Sequence, residues 1–340
     1  MVSHVEVRRG PHVESWHRIH AAVVMADGTV AAHTGDPSLV TFWRSAAKFF
    51  QAAPLVTSGA ADALGLSDAE LALTCASHNG EPRHLEVAAQ LLGRSRSAVS
   101  DLHCGAHASL DDAIARRQVA SGEQLTRLHS NCSGKHAGML ALAAHRAWPK
   151  AGYERPEHPV QQACLAEVRA WTGYAGAEVA WATDGCGVPT FVLPLLGMAR
   201  AYARLAVAAD GGEPADIAEP SRRAARRLIE ATVREPFLIA GTGRLDTDLI
   251  AATRGRVIAK VGADGVYSAA LRDLALGVAL KVEDGASRAL GPALLAVLDA
   301  LAPGAIPAND GWRRRAVLNS NDASVGEIVG RVKLVKGAPK

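Results

Sequence analysis

A chain of 340 residues can bury a substantial core without help from disulfides. Its formal charge of +3 arises from acids and bases mixed along the whole length, and no run of Lys or Arg is interleaved with aromatics, which excludes a nucleic-acid surface or an anionic-membrane surface as its main role. Residues 1–10 lack the apolar stretch of a secretory signal, and no later segment is apolar for long enough to span a bilayer, so the expectation is a cytoplasmic protein acting on a small molecule or a protein partner. Five cysteines at irregular spacing argue against a disulfide framework and leave each as core filler, metal ligand or reactive thiol.

In chain order, residues 20–25 and 29–33 read as strands around Asp27-Gly28, a dipeptide suited to a tight hairpin. Ser67-Asp-Ala-Glu70 is a capping box ahead of an Ala/Leu run, Pro82 suits the first turn of a helix reaching Leu92, and residues 159–172 have an amphipathic helical pattern. Further helical runs are expected over 189–207 and 220–233, with the Gly- and Pro-containing stretch 208–220 as a flexible connection. Strand patterns return at 257–261, at 274–282 and at 328–335. This order predicts an α/β (α+β) fold in one unit over residues 1–340. An antiparallel sheet from about 1–44 and 236–340 encloses a mostly helical insertion from about 45–235.

Ser45-Ala-Ala-Lys48 leads into a helical run, so Ser45 is expected at a helix N-terminus with Lys48 one turn further on the same face. There the first-turn N–H groups stabilise an anion, and a lysine that gives up its proton can act as the base a serine nucleophile needs. On its own the spacing also fits a capping serine followed by a solvated lysine. Two later motifs weigh against that reading: Ser77-His-Asn79 opens a polar loop, and Lys260-Val-Gly262 ends a predicted strand, with room beside the glycine for a ligand's close approach. Ser-x-x-Lys, Ser-x-Asn and Lys-x-Gly in this order match the serine β-lactamase and penicillin-binding-protein set.

Two loops, 129–140 and 183–189, are rich in small and polar residues. Helical spacing puts Cys132 beside Lys135 or His136, and Cys186 could complete a site for zinc. On chemistry alone His136 is the better third ligand, because a lysine must first lose its proton. Buried thiols or a redox pair are the alternatives, and Cys75, Cys104 and Cys164 read as packing.

Six segments together resemble the rhizobial-type, class 3 L-asparaginases, or asparaginase II family, whose fold is similar to that of serine β-lactamases and glutaminases. They are Arg44-Ser-Ala-Ala-Lys48-Phe-Phe-Gln51, Ser77-His-Asn-Gly-Glu81, Asn131-Cys-Ser-Gly-Lys135-His-Ala-Gly-Met139, Asp184-Gly-Cys-Gly-Val-Pro189, Ala240-Gly-Thr-Gly-Arg-Leu-Asp246 and Lys260-Val-Gly-Ala-Asp-Gly-Val-Tyr267. The resemblance implies hydrolysis of the side-chain amide of L-asparagine through a serine acyl-enzyme, with Ser45 and Lys48 and then Ser77 and Lys260 as two pairs. It also implies zinc held by Cys132, Lys135 and Cys186, and a homodimer. An amino-acid substrate needs both its charges met, which makes Arg44, Arg244 or Lys260 candidates for the α-carboxylate and Asp184 or Glu81 for the α-ammonium. A glutaminase, a penicillin-interacting serine hydrolase and a non-catalytic zinc-stabilised sensor are the competing readings, separated by ammonia release from asparagine, turnover of a β-lactam, and binding without turnover.

Overall fold

Gly28 adopts φ +99°, closed to most side chains, and its N–H donates to the Met25 carbonyl at 3.0 Å while Thr29 N–H is held by the Asp27 carboxylate at 2.8 Å. The hairpin expected at this dipeptide therefore forms. The computed structural model describes residues 3–175, 179–307 and 310–337. The strands in chain order are β1 (His4–Arg9), β2 (His12–Met25), β3 (Val30–Thr34), β4 (Val40–Phe42), β5 (Ala180–Thr183), β6 (Pro189–Pro194), β7 (Val257–Val261), β8 (Val266–Leu271), β9 (Leu276–Val282), β10 (Arg314–Leu318), β11 (Ser324–Arg331) and β12 (Val335–Lys336).

The chain divides into two compact units. The first comprises Met1–Ala46, Leu193–Ala206 and Arg256–Lys340, and the second Ala47–Val192 and Val207–Gly255. Among the described residues, the first unit holds a sheet in the order β10-β11-β1-β2-β9-β8-β7, with β3 on the far half of β2 and β12 on β3. The pairings described are all antiparallel. With 14 residues, β2 is long enough to serve β1 along its first half and β3 along its second. All six residues of β8 are buried, so both of its faces are covered and the alternation of a half-exposed strand is missing. Helix Ser287–Leu301 packs on the sheet at β11, where Gly330 lies so near the Pro292 carbonyl that a Cβ would sit 2.5 Å from it. Residues of helix Leu195–Ala209 approach β9 more closely still at Gly277.

In the second unit, helix Lys48–Thr57 is buried at every residue from Lys48 to Val56. Helices Pro159–Thr172, Glu219–Arg234 and Ser133–His145 surround it. The Ser67 capping box forms, with Ser67 N–H donating to Glu70 Oε2 at 2.8 Å and Ser67 Oγ accepting from Glu70 N–H at 3.3 Å. Helices Pro82–Arg94 and Pro159–Thr172 start at the prolines that predicted them.

Three expectations need correction. Residues 189–194 form β6, paired with β5, before the helix begins at Leu195, because a β-branched and aromatic run bounded by two prolines suits an extended edge better than a helix. The run 328–335 is split, β11 ending at Arg331 and β12 starting at Val335, and Leu274 lies in the turn Arg272–Leu274 ahead of β9.

A Cβ at Gly277 would lie 1.9 Å from the Ala199 carbonyl oxygen and 2.3 Å from Ala203 N. Gly277→Ala should therefore force helix and strand apart and cost about 1–3 kcal/mol. A urea unfolding midpoint unchanged from wild type would contradict that contact.

Candidate functional site

The first unit carries Arg44, Ser45 and Lys260. Ser45 lies in the 3-10 turn Arg44–Ala47, which runs directly into helix Lys48–Thr57, so the expected helix start is present with a tighter first turn. Trp43 anchors this turn. Its ring is buried against Tyr202 at a centroid distance of 6.2 Å, its Nε1–H donates to Ser268 Oγ at 3.1 Å, and the Tyr202 hydroxyl donates to the Ala46 carbonyl at 2.7 Å. Lys260 is fully buried on β7 opposite Ser268 of β8, with Nζ donating to the Val261 carbonyl at 3.2 Å. The space beside Gly262 is taken by the protein itself, since a Cβ there would sit 2.9 Å from the Trp43 carbonyl oxygen. The small residue of Lys-x-Gly thus brings the end of β7 against the chain entering the Ser45 turn. Arg44 adopts φ +54°, and its guanidinium is paired with the Asp264 carboxylate, so the charge expected to meet a substrate carboxylate already has a partner.

The second unit brings most of the remaining residues together. Lys48 is fully buried, and its Nζ donates to the Ala76 carbonyl and, at 2.9 Å, to Ser77 Oγ. The lysine of the first motif is therefore bonded to the serine of the second. Ser77 to Asn79 run as an extended segment whose N–H groups alternate in direction: Ser77 and Asn79 donate to the Ile239 and Ala240 carbonyls at 2.9 Å, and His78 donates to the Asn131 carbonyl at 3.2 Å. Arg244 Nη1 donates to Asn79 Oδ1 at 2.7 Å and to the Ser77 carbonyl at 3.4 Å. Glu81 accepts from Thr242 N–H and from the Thr242 hydroxyl, both at 2.8 Å. These contacts close around Gly241, where φ is +110° and a Cβ would lie 2.3 Å from Glu81 Oε1. Sequence reasoning left out Thr242, although its place between Gly241 and Arg244 in a glycine-rich motif was the available signal.

Cys132 immediately precedes helix Ser133–His145, and Cys186 sits in the turn between β5 and β6, closed by Asp184 N–H donating to the Val188 carbonyl at 2.8 Å and Gly187 N–H donating to the Asp184 carbonyl at 2.9 Å. Lys135 Nζ donates to Cys186 Sγ at 3.2 Å, while His136 turns away to the Tyr153 hydroxyl at 2.6 Å. A hydrogen bond from Cys132 and the Lys135 charge bring the Cys186 thiol down to about 5, and the same bond together with burial pushes Cys132 up to about 12. Burial works against the Lys135 charge, but Cys186, Cys132 and Asp184 outweigh it and hold its pKa above the ordinary value. Two thiols and one amine thus converge, a donor set that suits a borderline-soft ion such as zinc. Among the described residues no three His, Cys, Asp or Glu side chains are grouped to hold a metal, so a metal here depends on the Lys135 amine. Cys75, Cys104 and Cys164 are buried; the Cys164 thiol donates to the Gln51 carbonyl at 3.4 Å and the Cys104 thiol to the Arg127 carbonyl at 3.8 Å, in keeping with packing roles.

The sequence matches the family described as L-asparaginase II over residues 5–330. No match to the chain was found among curated proteins. A solved structure of Mglu in its native form in 4.3 M NaCl is similar over 90% of this chain and 66% of that one, with 16% identity and a TM-score of 0.39. Mglu in its L-glutamate binding form is similar over 89% and 64%, with 16% identity and a TM-score of 0.36. The chain therefore spans about two thirds of the length of those proteins. Among the described residues no helix is long and apolar enough to cross a membrane.

Burial drives His84 from 6.5 down to about 4, so the unfolded chain takes up this proton before the folded one does. Stability should fall as the pH drops from about 6.5 and level off below about 4, with a total loss on the order of 3 kcal/mol from this group. His84→Gln should flatten that acid limb in urea titrations; an acid dependence identical to wild type would show that His84 is charged in the fold.

Proposed function

Because the chain belongs to the L-asparaginase II family, we propose that it hydrolyses the side-chain amide of L-asparagine to L-aspartate and ammonia, with Ser45 as the nucleophile. The observation that carries this reading is the fully buried Lys48 Nζ held 2.9 Å from Ser77 Oγ, three residues after Ser45 on a continuous helical turn. A lysine excluded from water and bonded to a hydroxyl is placed to move a proton and not merely to solvate a surface.

In the proposed sequence Lys48, as the free amine, takes the Ser45 proton as Ser45 Oγ attacks the amide carbon. The Ser77 hydroxyl, bonded to Lys48, passes a proton to the leaving nitrogen and is reprotonated from Lys48. Ammonia departs and the acyl-serine remains. Water then cleaves the ester, giving aspartate and restoring the Ser45 hydroxyl. Lys260 is assigned the role of positive charge for the tetrahedral oxyanion. For substrate recognition, Arg244 commits Nη1 to Asn79 and Ser77, so its other terminal nitrogen is assigned to the α-carboxylate. Arg44 is a weaker candidate because Asp264 already balances it. Glu81 and Asp184 are assigned to the α-ammonium, with Glu81 fixed by Thr242.

Zinc belongs to the same proposal. Cys132, Lys135 and Cys186 would hold it, and when bound it supplies a fixed positive charge and a Lewis acid that organises the two loops. A cytoplasmic location and a homodimer complete the reading, and sedimentation velocity of the purified chain tests the latter.

Two measurements test the chemistry. Ser45→Ala should lower kcat for ammonia release at saturating asparagine by at least about a thousandfold, and wild-type turnover in that variant would remove Ser45 as the nucleophile. Protein purified without added zinc should contain about one zinc per chain by elemental analysis, and Cys132→Ser should lose it. Equal zinc in both preparations would place the metal elsewhere.

A further inference from the structure

His78 lies between two loops of the second unit and has no part in the chemistry proposed above. It is almost wholly buried, and burial first, then the neighbouring His84, Lys48, His107 and Arg244, pushes its basicity well below that of a free imidazole, so the ring is neutral. A neutral imidazole carries one N–H, and the surrounding bonds assign it. Gly80 N–H donates to Nδ1 at 3.1 Å, so Nδ1 is the acceptor and the proton sits on Nε2, which donates to Ser133 Oγ at 2.9 Å. With its backbone N–H on the Asn131 carbonyl, His78 grips the Asn131–Ser133 segment twice, on either side of Cys132.

The ring has little freedom to move. It stacks on His84 at a centroid distance of 4.9 Å, and His84 stacks on Phe237 at 4.8 Å, with interplanar angles of 13° and 12°. His84 repeats the same tautomer logic, accepting from Glu81 N–H at 3.2 Å and donating to the Phe237 carbonyl at 3.2 Å. On the other side, Gly134 brings the helix start so close to Leu73 that a Cβ would lie 2.2 Å from its carbonyl oxygen. Both ends of the His78–Ser133 bond are therefore fixed to rigid elements.

We infer that His78 is a positioning residue that fixes the Ser77 hydroxyl against Lys48 by tying the Ser77–Gly80 loop to Ser133 at the start of the Cys132 helix. Displacement of either loop is transmitted to the other through His78, by its ring bond to Ser133 and its backbone bond to Asn131. The inference rests on the asparaginase reading, because it concerns how Ser77 is aimed for that reaction.

Ser133→Ala removes the acceptor of this bond with almost no change of volume, and Ser133→Thr restores a hydroxyl. Asparagine hydrolysis should lose about ten- to a hundredfold in kcat in Ser133→Ala, with KM within about twofold of wild type, and recover in Ser133→Thr. The metal content of Ser133→Ala should equal that of wild type. His78→Gln should lose kcat to a similar degree, and the double variant should be no worse than the poorer single variant, because both changes break one bond. An unchanged kcat in folded Ser133→Ala, additive losses in the double variant, or a loss of kcat that tracks a loss of metal would each overturn the inference. A wild-type protein that releases no ammonia from asparagine would instead remove the reading on which it rests.

Discussion

A fully buried lysine amine must find hydrogen-bonding partners, since burying a charged or polar nitrogen without them costs several kcal/mol. Lys48 meets that constraint with the Ala76 carbonyl and the Ser77 hydroxyl, at the first residue of the most buried helix of its unit. Much of the surrounding architecture follows from it. The chain after helix Asp68–Thr74 must run extended through Ser77, the Ile239–Ala240 segment must supply acceptors for its N–H groups, and Arg244 and Asn79 must close the far side. A sequence that keeps Lys48 but cannot present an oxygen at Ser77 would leave the amine short of a partner. The proposed proton relay and the stability of the loop therefore share a bond.

The thiols of Cys132 and Cys186 and their neighbours show the same economy. With Lys135 directed to Cys186 and His136 directed to Tyr153, adjacent residues of one helix serve different neighbours. Burial brings the His136 ring down to about 3 and keeps it neutral, which suits a hydrogen bond to a phenol. Choosing between Lys135 and His136 thus turns on where Cys186 and Tyr153 lie, and both are brought to this helix from distant parts of the chain.

That distinction marks where the sequence was legible. Local rules recovered the Asp27-Gly28 hairpin, the Ser67 capping box, the helices that start at Pro82 and Pro159, and the strand at residues 257–261. Each depends on chemistry within a few residues. At residues 189–194 a β-branched and aromatic run between two prolines is extended, and pairing with the distant strand Ala180–Thr183 completes it, which a helical reading of 189–207 misses. The motifs pointed to Lys48 and Ser77 singly, but the bond between them joins segments 29 positions apart and has no local signature. The resemblance names Lys135 where unaided chemistry favours His136, and the contacts that direct Lys135 to Cys186 and His136 to Tyr153 are tertiary, with no local signature.

The small residue of Lys-x-Gly suggests room for a ligand beside Gly262, yet what occupies that room is the Trp43 carbonyl. The glycine of Lys-x-Gly is therefore demanded by the scaffold whether or not any reaction takes place. A related chain in which Ser45 is exchanged would still be compelled to keep Gly262 for this packing. Presence of that glycine in a related sequence is therefore evidence of shared architecture and by itself carries no information about chemistry.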